Sequence, residues 1–257
     1  MLLAGALSVM LRNVSAARHV TYWLVLVSGV AEPMLYLFSI GVGVGRLIGD
    51  VPLGDGRLVS YAGFVAPATL AASAMTGAMA ETVMNFYGKL KFMKLYDATL
   101  ATPVTPLQLA SGELLWAMAR GACYSAAFLA VMVALGLTSP VRAVAAFPAA
   151  LLVGFAFGGL GMALSTLLRS WQDFDYVNVG QFALLLFSGV FAPPSGYPLV
   201  ARVLVQATPL YHGVELVRGL CLGLWSWAMV GHAAYLAAMA VAGVWLAGRR
   251  LGRLLLT

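Results

Sequence analysis

Four charged residues interrupt long apolar runs of this sequence, and they are the first candidates for chemistry. They are Glu32, Glu81, Glu113 and Arg120. A charge at the centre of a membrane costs about 2.5–3.5 kcal/mol on insertion scales, so such a residue usually faces protein or a wet cavity and forms an ion pair. At about 1.5 Å per helical residue, Arg120 reaches the depth of Glu32, whereas Glu81 lies too close to the end of its run. We therefore expect Arg120 to pair with Glu32 or Glu113. The alternative is that these charges line a polar pathway.

Patterns for nucleophilic catalysis or metal binding are weak. Ser188-Gly189 and Ser195-Gly196, together with His212 and His232, invite comparison with serine proteases that work inside the bilayer. Nucleophilic catalysis requires a serine held beside its base and near oxyanion donors. These serines lie at the end of an apolar run and in a Pro-rich segment, without a Gly-x-Ser-Gly sequence. The histidines lie in separate segments and the two cysteines have no C-x-x-C spacing, so we expect no metal site.

Glycine-rich stretches do not make a nucleotide site in this sequence. A phosphate-binding glycine fingerprint must follow a strand and open a helix, whereas Gly41-Val42-Gly43-Val44-Gly45 closes an apolar run. Gly88-Lys89-Leu90 lacks the upstream glycine and the following Ser or Thr that a Walker motif needs. We therefore expect ATP hydrolysis, if it drives this protein, to take place on another chain.

The elements that position these residues are predicted to be membrane spans. The chain has 257 residues, of which 62% are hydrophobic and only 9% are charged, whereas an ordinary soluble domain has about 25% charged residues. A span needs about 20 predominantly apolar residues. The sequence therefore predicts an all-α membrane protein with six transmembrane helices, at residues 22–44, 60–84, 107–137, 141–168, 176–191 and 226–247.

The basic residues predict how these spans are oriented. With the N-terminus inside, the inside segments hold nine of the 15 Lys and Arg residues, the outside segments hold five, and Arg120 lies within a span. Because cytoplasmic loops carry the excess of Lys and Arg, we expect both termini in the cytoplasm. Residues 1–19 place Arg12 and Arg18 off an apolar stripe, which predicts an interfacial amphipathic helix. The net charge of +6 then indicates contact with anionic membrane lipid and not with nucleic acid.

The segment 85–106 is the densest cluster of cations, aromatics and prolines between two apolar runs, and it reads NFYGKLKFMKLYDATLATPVTP. The predicted orientation places it in the cytoplasm, where a soluble partner could bind it. Its lysines could instead anchor the chain to anionic lipid. Pro103 and Pro106 are expected to mark its end and the start of the third span. The residues expected to contact the partner are Lys91, Lys94, Leu95, Tyr96, Asp97 and Leu100.

Two further stretches carry packing signals. In the fourth span, Gly154, Gly158, Gly159 and Gly161 form a small-residue face that predicts close helix packing, within the subunit or between subunits. Segment 192–225 is too polar to span a membrane, and its prolines bracket short helices. Such helices can dip into the outer leaflet and return where protein buries their ends. A surface loop of amphipathic character is the open alternative.

Several stretches, taken together, resemble one family. Glu32-Pro33 and Leu35-Tyr36-Leu37 lead into the Gly41-x-Gly43-x-Gly45 run, and YDATLATPV begins at Tyr96. FSGVF ends at Phe191 shortly before Pro193, and PLYHGVELVR covers residues 209–218. In this order, on six predicted spans, the chain resembles a permease of the ABC type 2 exporter family. It is most similar to the branch associated with nodulation-factor lipooligosaccharide and daunorubicin-type drug export.

The resemblance implies a transport subunit and not an enzyme. It implies a permease dimer, with an identical or a sister chain, bound to two separate ABC ATPase subunits that carry ATP and Mg, so that this chain itself binds no cofactor. It also implies a coupling helix between the second and third spans and re-entrant outer helices after the fifth. Tyr36 joins the charged residues as a candidate pathway residue. The candidate outer-gate residues are Phe191, Pro193, Tyr211, His212, Glu215 and Arg218.

The function expected from these observations is export of an amphipathic molecule through the bacterial inner membrane. Lipid-like molecules, lipooligosaccharides or other glycolipids, and hydrophobic drugs suit a pathway with few charges. The alternatives are a membrane-embedded enzyme acting on lipid or peptide, and an ion-gradient carrier centred on Glu32.

Overall fold

The computed structural model of the chain describes residues 2–17, 31, 34–35, 37–53 and 56–255. Almost all of this part is helical, with one short hairpin. In chain order the elements are α1 (Leu2–Ala17), a π-helical segment (Leu37–Val44) that leads into α2 (Gly45–Ile48), β1 (Asp50–Pro52), β2 (Leu58–Ser60), α3 (Tyr61–Met79), π-helical segments at Ala80–Asn85 and Gly88–Phe92, α4 (Leu95–Leu100), α5 (Pro106–Ala134), α6 (Pro140–Ser165), α7 (Asp173–Leu186), a 3-10 turn (Pro194–Gly196), α8 (Leu199–Ala207), α9 (Pro209–Leu222) and α10 (Ala228–Leu255).

Among the described residues, four helical stretches are long and apolar enough to cross a membrane, namely Tyr61–Phe92, Pro106–Ala134, Pro140–Ser165 and Ala228–Leu254. They agree with the predicted all-α membrane architecture and match the second, third, fourth and sixth predicted spans. The first predicted span, 22–44, lies mostly outside the described residues. The fifth, 176–191, overlaps α7, which has 14 residues. This helix is shorter than the about 20 residues that a membrane span needs. The β1–β2 hairpin, paired antiparallel with Val51 opposite Val59, was not predicted.

Three helices begin at a Ser or Thr followed by proline. Thr105 accepts a hydrogen bond from the backbone of Gln108, whose side chain accepts one from the Thr105 backbone in return, and Pro106 opens α5. Ser139 caps α6 and Thr208 caps α9 in the same position before a proline. Proline suits the first helical position because its missing N–H would be unpaired there in any case, and each cap contributes about 1 kcal/mol.

The second span continues well past its predicted end at residue 84. The helix runs on through two π-helical segments to Phe92, and a turn in which Lys94 has a φ of 47° separates it from α4. Phe86 and Tyr87 on this extension are buried, at 1% and 3% exposure. Tertiary packing therefore keeps a polar sequence helical where composition alone predicts the end of a span.

Helix α6 is the centre of the bundle and packs against α3, α5, α9 and α10. A Cβ atom on Gly243 of α10 would lie 2.4 Å from the backbone carbon of Gly159, and one on Gly158 would lie 2.6 Å from a methyl group of Leu114 on α5. A Cβ on Gly161 would lie 2.3 Å from the Thr82 hydroxyl. The small-residue face predicted on the fourth span therefore lets three neighbouring segments of the same subunit approach closely.

Candidate functional site

One buried carboxylate organises the predicted inner end of the bundle. Glu113 on α5 is 5% exposed; its Oε1 accepts a hydrogen bond from Nη2 of Arg12 at 2.9 Å, and its Oε2 accepts one from Nζ of Lys89 at 2.6 Å. Arg12 also donates to the Thr99 hydroxyl at 2.8 Å, and Lys89 donates to Oδ1 of Asn13 at 3.2 Å. We call Arg12, Asn13, Lys89, Thr99 and Glu113 the inner cluster. It joins α1, the end of the second span, α4 and α5.

Sequence reasoning missed most of the inner cluster. Arg12 was predicted to lie off the apolar stripe of α1, and the structure shows that it faces α5 while Leu7 and Leu11 are exposed, at 51% and 54%. Lys89 is bound by Glu113, so it is not free to anchor lipid as its neighbours could be. Glycines mark the close approach of α1 and α5: a Cβ atom on Gly112 would lie 2.5 Å from the Ala6 carbonyl oxygen, and one on Gly5 would lie 2.6 Å from the Gln108 side chain.

The predicted contact segment divides into a buried and an exposed part. Tyr96 is 0% exposed and its ring lies 5.0 Å from that of Phe86, so it holds α4 against the bundle and does not present itself to a partner. Lys91 and Lys94 are exposed, with Phe92 and Met93 between them at 60% and 73% exposure. Leu95 and Leu100 are half-buried, and the side chain of Asp97 lies outside the described part.

Burial also controls the chemistry of Tyr96. It raises the pKa of the Tyr96 hydroxyl well above its ordinary value, the negative charge of Glu113 adds to this rise, and the positive charge of Arg12 opposes it. The hydroxyl is close enough to Glu113 for a weak side-chain hydrogen bond to add to this rise in pKa, but it forms no hydrogen bond of ordinary geometry within the described part. The neutral phenol is therefore the form that this site stabilises.

A cavity of about 580 Å³ lies between α3, α5, α6 and α7. Its wall contains Glu81 and Arg120, which form an ion pair, and Nη2 of Arg120 also donates to the Tyr124 hydroxyl at 3.0 Å. Asn178 and Gln181 line it from α7. Glu81 and Arg120, two of the charged residues that interrupt the apolar runs, therefore face this cavity as an ion pair.

The predicted partner of Arg120 is corrected by this geometry. Arg120 pairs with Glu81, and Glu113 is held by the inner cluster; Glu32 and Tyr36 lie outside the described residues. The depth estimate failed because it ended the second span at residue 84. With the helix continuing to Phe92, Glu81 lies about 16 Å from the end of its helix and Arg120 about 21 Å from the start of α5, at about 1.5 Å per residue.

A buried arginine organises the predicted outer end. Arg218 on α9 is 3% exposed; its Nε donates to the Phe64 carbonyl at 3.2 Å, and its Nη2 donates to the Gly189 carbonyl at 2.8 Å. Its Nη1 donates to Oε1 of Glu215 at 2.8 Å, and its guanidinium carbon lies 3.9 Å from the centre of the Phe64 ring. We call Phe64, Gly189, Glu215 and Arg218 the outer cluster. It joins α9 to the start of the second span and to the chain after α7.

The other predicted gate residues lie around this cluster. The carbonyl of Phe191 accepts a hydrogen bond from the Tyr61 hydroxyl at 3.1 Å, and Pro193 precedes the 3-10 turn. Tyr211 and His212 instead face α10. Nδ1 of His212 lies 2.7 Å from Nδ1 of His232, and the Tyr211 ring packs at 5.7 Å and 5.9 Å from the two imidazoles. The predicted gate residues therefore form two groups: Glu215 and Arg218 of α9 lie with the chain around Phe191, whereas Tyr211 and His212 of α9 pack against α10.

The serine and histidine patterns do not form a catalytic pair within the described residues. The Ser188 hydroxyl is hydrogen-bonded to that of Thr208 at 2.8 Å, and Ser195 is exposed on the 3-10 turn. His212 and His232 contact each other. No group of three or more His, Cys, Asp or Glu side chains able to hold a metal occurs in the described part.

Within the described residues, a helical bundle with four stretches able to span a membrane and a cavity between them has the architecture of a multi-pass membrane protein. Sequence comparison gives the family. The chain belongs to the ABC-2 type transporter family, whose model matches residues 8–222. It is therefore a permease of the ABC exporter class, and the resemblance noted from the sequence motifs is confirmed.

Curated relatives agree with this assignment. Over 199 residues the chain is 33% identical to Nodulation protein J of Rhizobium leguminosarum bv. trifolii, a match that covers 77% of this chain and 74% of the relative. It is 31% identical to Nodulation protein J of Rhizobium leguminosarum bv. viciae, with 77% and 75% covered. The corresponding protein of Rhizobium meliloti (strain 1021) is 31% identical, with 77% and 74% covered.

Proposed function

We propose that this chain is the membrane-spanning permease of an ATP-driven exporter, which moves an amphipathic lipid-like molecule out of the cytoplasm or the inner leaflet of the bacterial inner membrane. The observation that carries the proposal is the 580 Å³ cavity, which has polar faces inside an otherwise apolar bundle. A volume of this size suits the head group or one end of such a molecule. Similarity to proteins named for nodulation favours a lipooligosaccharide over a hydrophobic drug.

The proposal includes two ABC ATPase subunits that bind ATP and Mg, because this chain has no Walker motif. The exposed turn that carries Lys91 to Lys94, together with α4, is the proposed contact for an ATPase. Tyr96 and the inner cluster would pass the movement of α4 to α5 and α1, since Thr99 of α4 binds Arg12, which binds Glu113. Six spans with both termini in the cytoplasm remain part of this proposal.

A second permease copy, identical or a sister chain, is also part of the proposal. Helix α7 exposes Tyr176, Val179 and Phe182 at 77%, 67% and 66%. The cavity is open beside this helix, since Phe182 on α7 and Met84 on the second span both line it and are more than half exposed. A second copy placed against α7 would complete the wall of the pathway.

The test is ATP-dependent export by membrane vesicles that contain the permease together with an ABC ATPase encoded beside it. Export of a labelled lipooligosaccharide should require ATP and should stop when the Walker lysine of the ATPase is replaced. Export that continues undiminished without any ATPase would refute the proposal. An enzyme would instead turn over lipid or peptide without nucleotide, and loss of that turnover in Ser195→Ala or His212→Ala would support this alternative.

An ion-gradient carrier is the other alternative. Glu32, its proposed centre, lies outside the described residues, and Glu81 is already paired with Arg120. Proton coupling is measured in the unmodified chain and in a variant with Glu32 neutralised. Export by the proposed mechanism should depend on ATP and show no proton coupling in both proteins, whereas a carrier should lose its proton coupling in the variant.

A further inference from the structure

Helix α10 has one side buried in the bundle and one side that faces away from it. The buried side packs mainly on α6, and its residues are small or apolar, among them Leu236, Gly243, Ala247 and Leu251. The exposed side ends in a series of residues spaced four apart, Val241, Trp245, Arg249 and Arg253. Residues four apart lie next to each other on one side of a helix. We call these four residues the α10 stripe.

Two tryptophans mark where α10 enters and leaves a membrane. Trp227, just before the helix, is 91% exposed, and Trp245 is 52% exposed. At about 1.5 Å per residue they lie about 27 Å apart along the helix, close to the roughly 30 Å of a hydrocarbon core. Tryptophan is enriched at both membrane–water interfaces. With Trp227 at one interface, Trp245 lies at the other, and Arg249 and Arg253 follow at the depth of the lipid head groups.

The two adjacent arginines of α10 point in different directions. Nε of Arg250 donates to the Thr166 hydroxyl at 2.9 Å, so this side chain ties α10 to the end of α6. Arg249 is exposed, and its guanidinium carbon lies 4.1 Å from the centre of the Trp245 ring. The stack covers one side of the guanidinium, and the N–H groups of Arg249 form no hydrogen bond or ion pair with the described residues. Trp245 therefore orients Arg249 while its donors stay available.

The α10 stripe combines positive charge with an apolar surface. Helix α10 contains no Asp or Glu, so its own residues do not balance Arg249 and Arg253. A guanidinium presents a planar fork of donors that matches the oxygens of a phosphate group, and the Trp245 indole N–H is a further donor at this level. On the other side of Trp245, Val241 is apolar and 71% exposed, which suits acyl chains. A phospholipid with a negative head group matches both parts.

We propose that Trp245, Arg249 and Arg253 bind the phosphate group of an anionic phospholipid, whose acyl chains lie along Val241 on the exposed side of α10. The bound lipid covers this side of the helix, as α6 covers the opposite side. The site is separate from the cavity and from the exported molecule. It goes beyond the proposed export function and rests on it only because that proposal places α10 across the bacterial inner membrane.

The test uses the full chain in a nonionic detergent, without ATPase. Phosphatidylglycerol with a photoreactive group in one acyl chain is cross-linked, and three unlabelled probes compete: phosphatidylglycerol, phosphatidylcholine with the same acyl chains, and soluble glycerol 3-phosphate. Cross-links should map to α10. Phosphatidylglycerol should compete at least about fivefold more strongly than phosphatidylcholine, the effect of about one cation beside anionic lipid, and glycerol 3-phosphate should not compete. Equal competition by the two lipids, or equally strong competition by glycerol 3-phosphate, would overturn the proposal.

Variants separate a local site from general attraction to a positively charged protein. Arg249→Gln should weaken competition by phosphatidylglycerol about fivefold, and Trp245→Leu should weaken it several-fold because the guanidinium loses the ring that orients it. Arg169→Gln removes the same charge from an arginine that is exposed elsewhere and should leave competition unchanged. Unchanged competition in Arg249→Gln, or an equal loss in Arg169→Gln, would refute the assigned contacts. Arg249 is exposed, so Arg249→Gln should fold as the unmodified chain does.

A second copy of the chain is the competing occupant of the α10 stripe. In a background without Cys123 and Cys221, Val241→Cys is oxidised in native membranes. Chains that stay unlinked support the lipid, whereas a disulfide-linked dimer would overturn the proposal.

Failure of this inference is distinguishable from failure of the export proposal, because lipid binding is measured without ATPase or transport. Selective binding of phosphatidylglycerol by a protein without ATP-dependent export would refute export alone. ATP-dependent export by a protein that binds both lipids equally would refute the lipid site alone.

Discussion

Glu113 and Arg218 are the two fully buried charged side chains of the described part, and they lie near opposite ends of the same helical stretch, Tyr61–Phe92. Arg218 binds backbone carbonyls of Phe64 and Gly189 and one carboxylate. In the described part, Glu113 is held by side chains, chiefly the guanidinium of Arg12 and the ammonium of Lys89. Both charges are paired, but the partners of Arg218 are mostly backbone groups with little conformational freedom, whereas those of Glu113 are flexible side chains.

That difference indicates which end of the bundle is built to move. The carbonyls around Arg218 are fixed by the backbone, so the outer cluster cannot separate without leaving buried acceptors unpaired. The cations around Glu113 stand on long flexible side chains, and the side chain of Arg12 is 33% exposed to solvent. Movement of α4 relative to α5 can therefore exchange these contacts at lower cost. The contacts of the inner cluster can therefore rearrange with less loss of buried hydrogen bonds than those of the outer cluster.

The largest effect is expected from Arg218→Leu. It leaves two buried carbonyls without their donor, and each unsatisfied buried polar group costs about 1–3 kcal/mol; Glu215 also loses its partner, but its side chain is 32% exposed and water can replace the guanidinium. We expect a strongly reduced amount of folded protein in the membrane and a lower thermal midpoint in mild detergent. Arg218→Lys should be intermediate, because a single ammonium does not reproduce the planar fork of donors.

The matched control is Arg202→Leu on α8, where the arginine is exposed. It should change the midpoint little, since an exposed arginine has water as its alternative partner. An Arg218→Leu variant as stable as the control would contradict this comparison, because the buried carbonyl contacts of Arg218 would then not hold the outer cluster together.

A smaller effect is expected from Glu113→Gln, which leaves Arg12 and Lys89 facing a neutral amide. Leaving buried polar groups unsatisfied costs about 1–3 kcal/mol, and partial exposure of Arg12 reduces the effect here. We expect α1 to loosen from α5 while the bundle stays folded. In a background without Cys123 and Cys221, Val9→Cys, at a buried position, should become reactive towards a maleimide.

Ser15→Cys is the control for that labelling, because Ser15 is exposed on the same helix and should react equally with and without Glu113→Gln. If Val9→Cys stays protected in the Glu113→Gln protein, then close packing of Gly112 against Ala6 holds α1 and the charges do not.

Sequence patterns predicted the long helices and several of their boundaries. The second, third, fourth and sixth spans were found because about 20 apolar residues in a row have few other structures open to them. Helix starts at Pro106, Pro140 and Pro209 follow local chemistry, the Ser or Thr cap before proline. The helix of the second span runs on to Phe92, past the predicted end of the span, because distant parts of the chain bury Phe86 and Tyr87.

The candidate sites were predicted less completely than the helices. Charged residues in apolar runs identified Glu81, Glu113 and Arg120 as important, but their pairing depends on contacts that composition does not contain. Arg12 and Glu113 are 101 positions apart, and Arg218 and the Phe64 carbonyl are 154 apart. Every residue has a backbone carbonyl, so no sequence motif predicts that Arg218 donates to the carbonyls of Phe64 and Gly189.

Tyr96 gives the sharpest test of the inner end, and the smallest expected effect. It was predicted to contact the ATPase, whereas its ring is buried against Phe86 and its hydroxyl has no hydrogen-bond partner in the described part. Tyr96→Phe keeps the ring and removes the hydroxyl, so the free energy of unfolding should stay the same or rise, by less than about 1 kcal/mol. ATPase binding should survive, because the exposed contact surface is unchanged.

The pH dependence of this variant distinguishes a buried phenol from a surface one. The folded protein raises the pKa of Tyr96 above the ordinary value of 10.0, so the stability it contributes is present below about pH 10 and is lost as the pH rises further. Thermal midpoints at about pH 7 and about pH 11 should therefore differ less in Tyr96→Phe than in the unmodified chain. Tyr176→Phe, at an exposed tyrosine of α7, should keep the full difference. If the Tyr96→Phe protein loses ATPase coupling at neutral pH, the hydroxyl is required for coupling. That result would support the original prediction that Tyr96 contacts the ATPase.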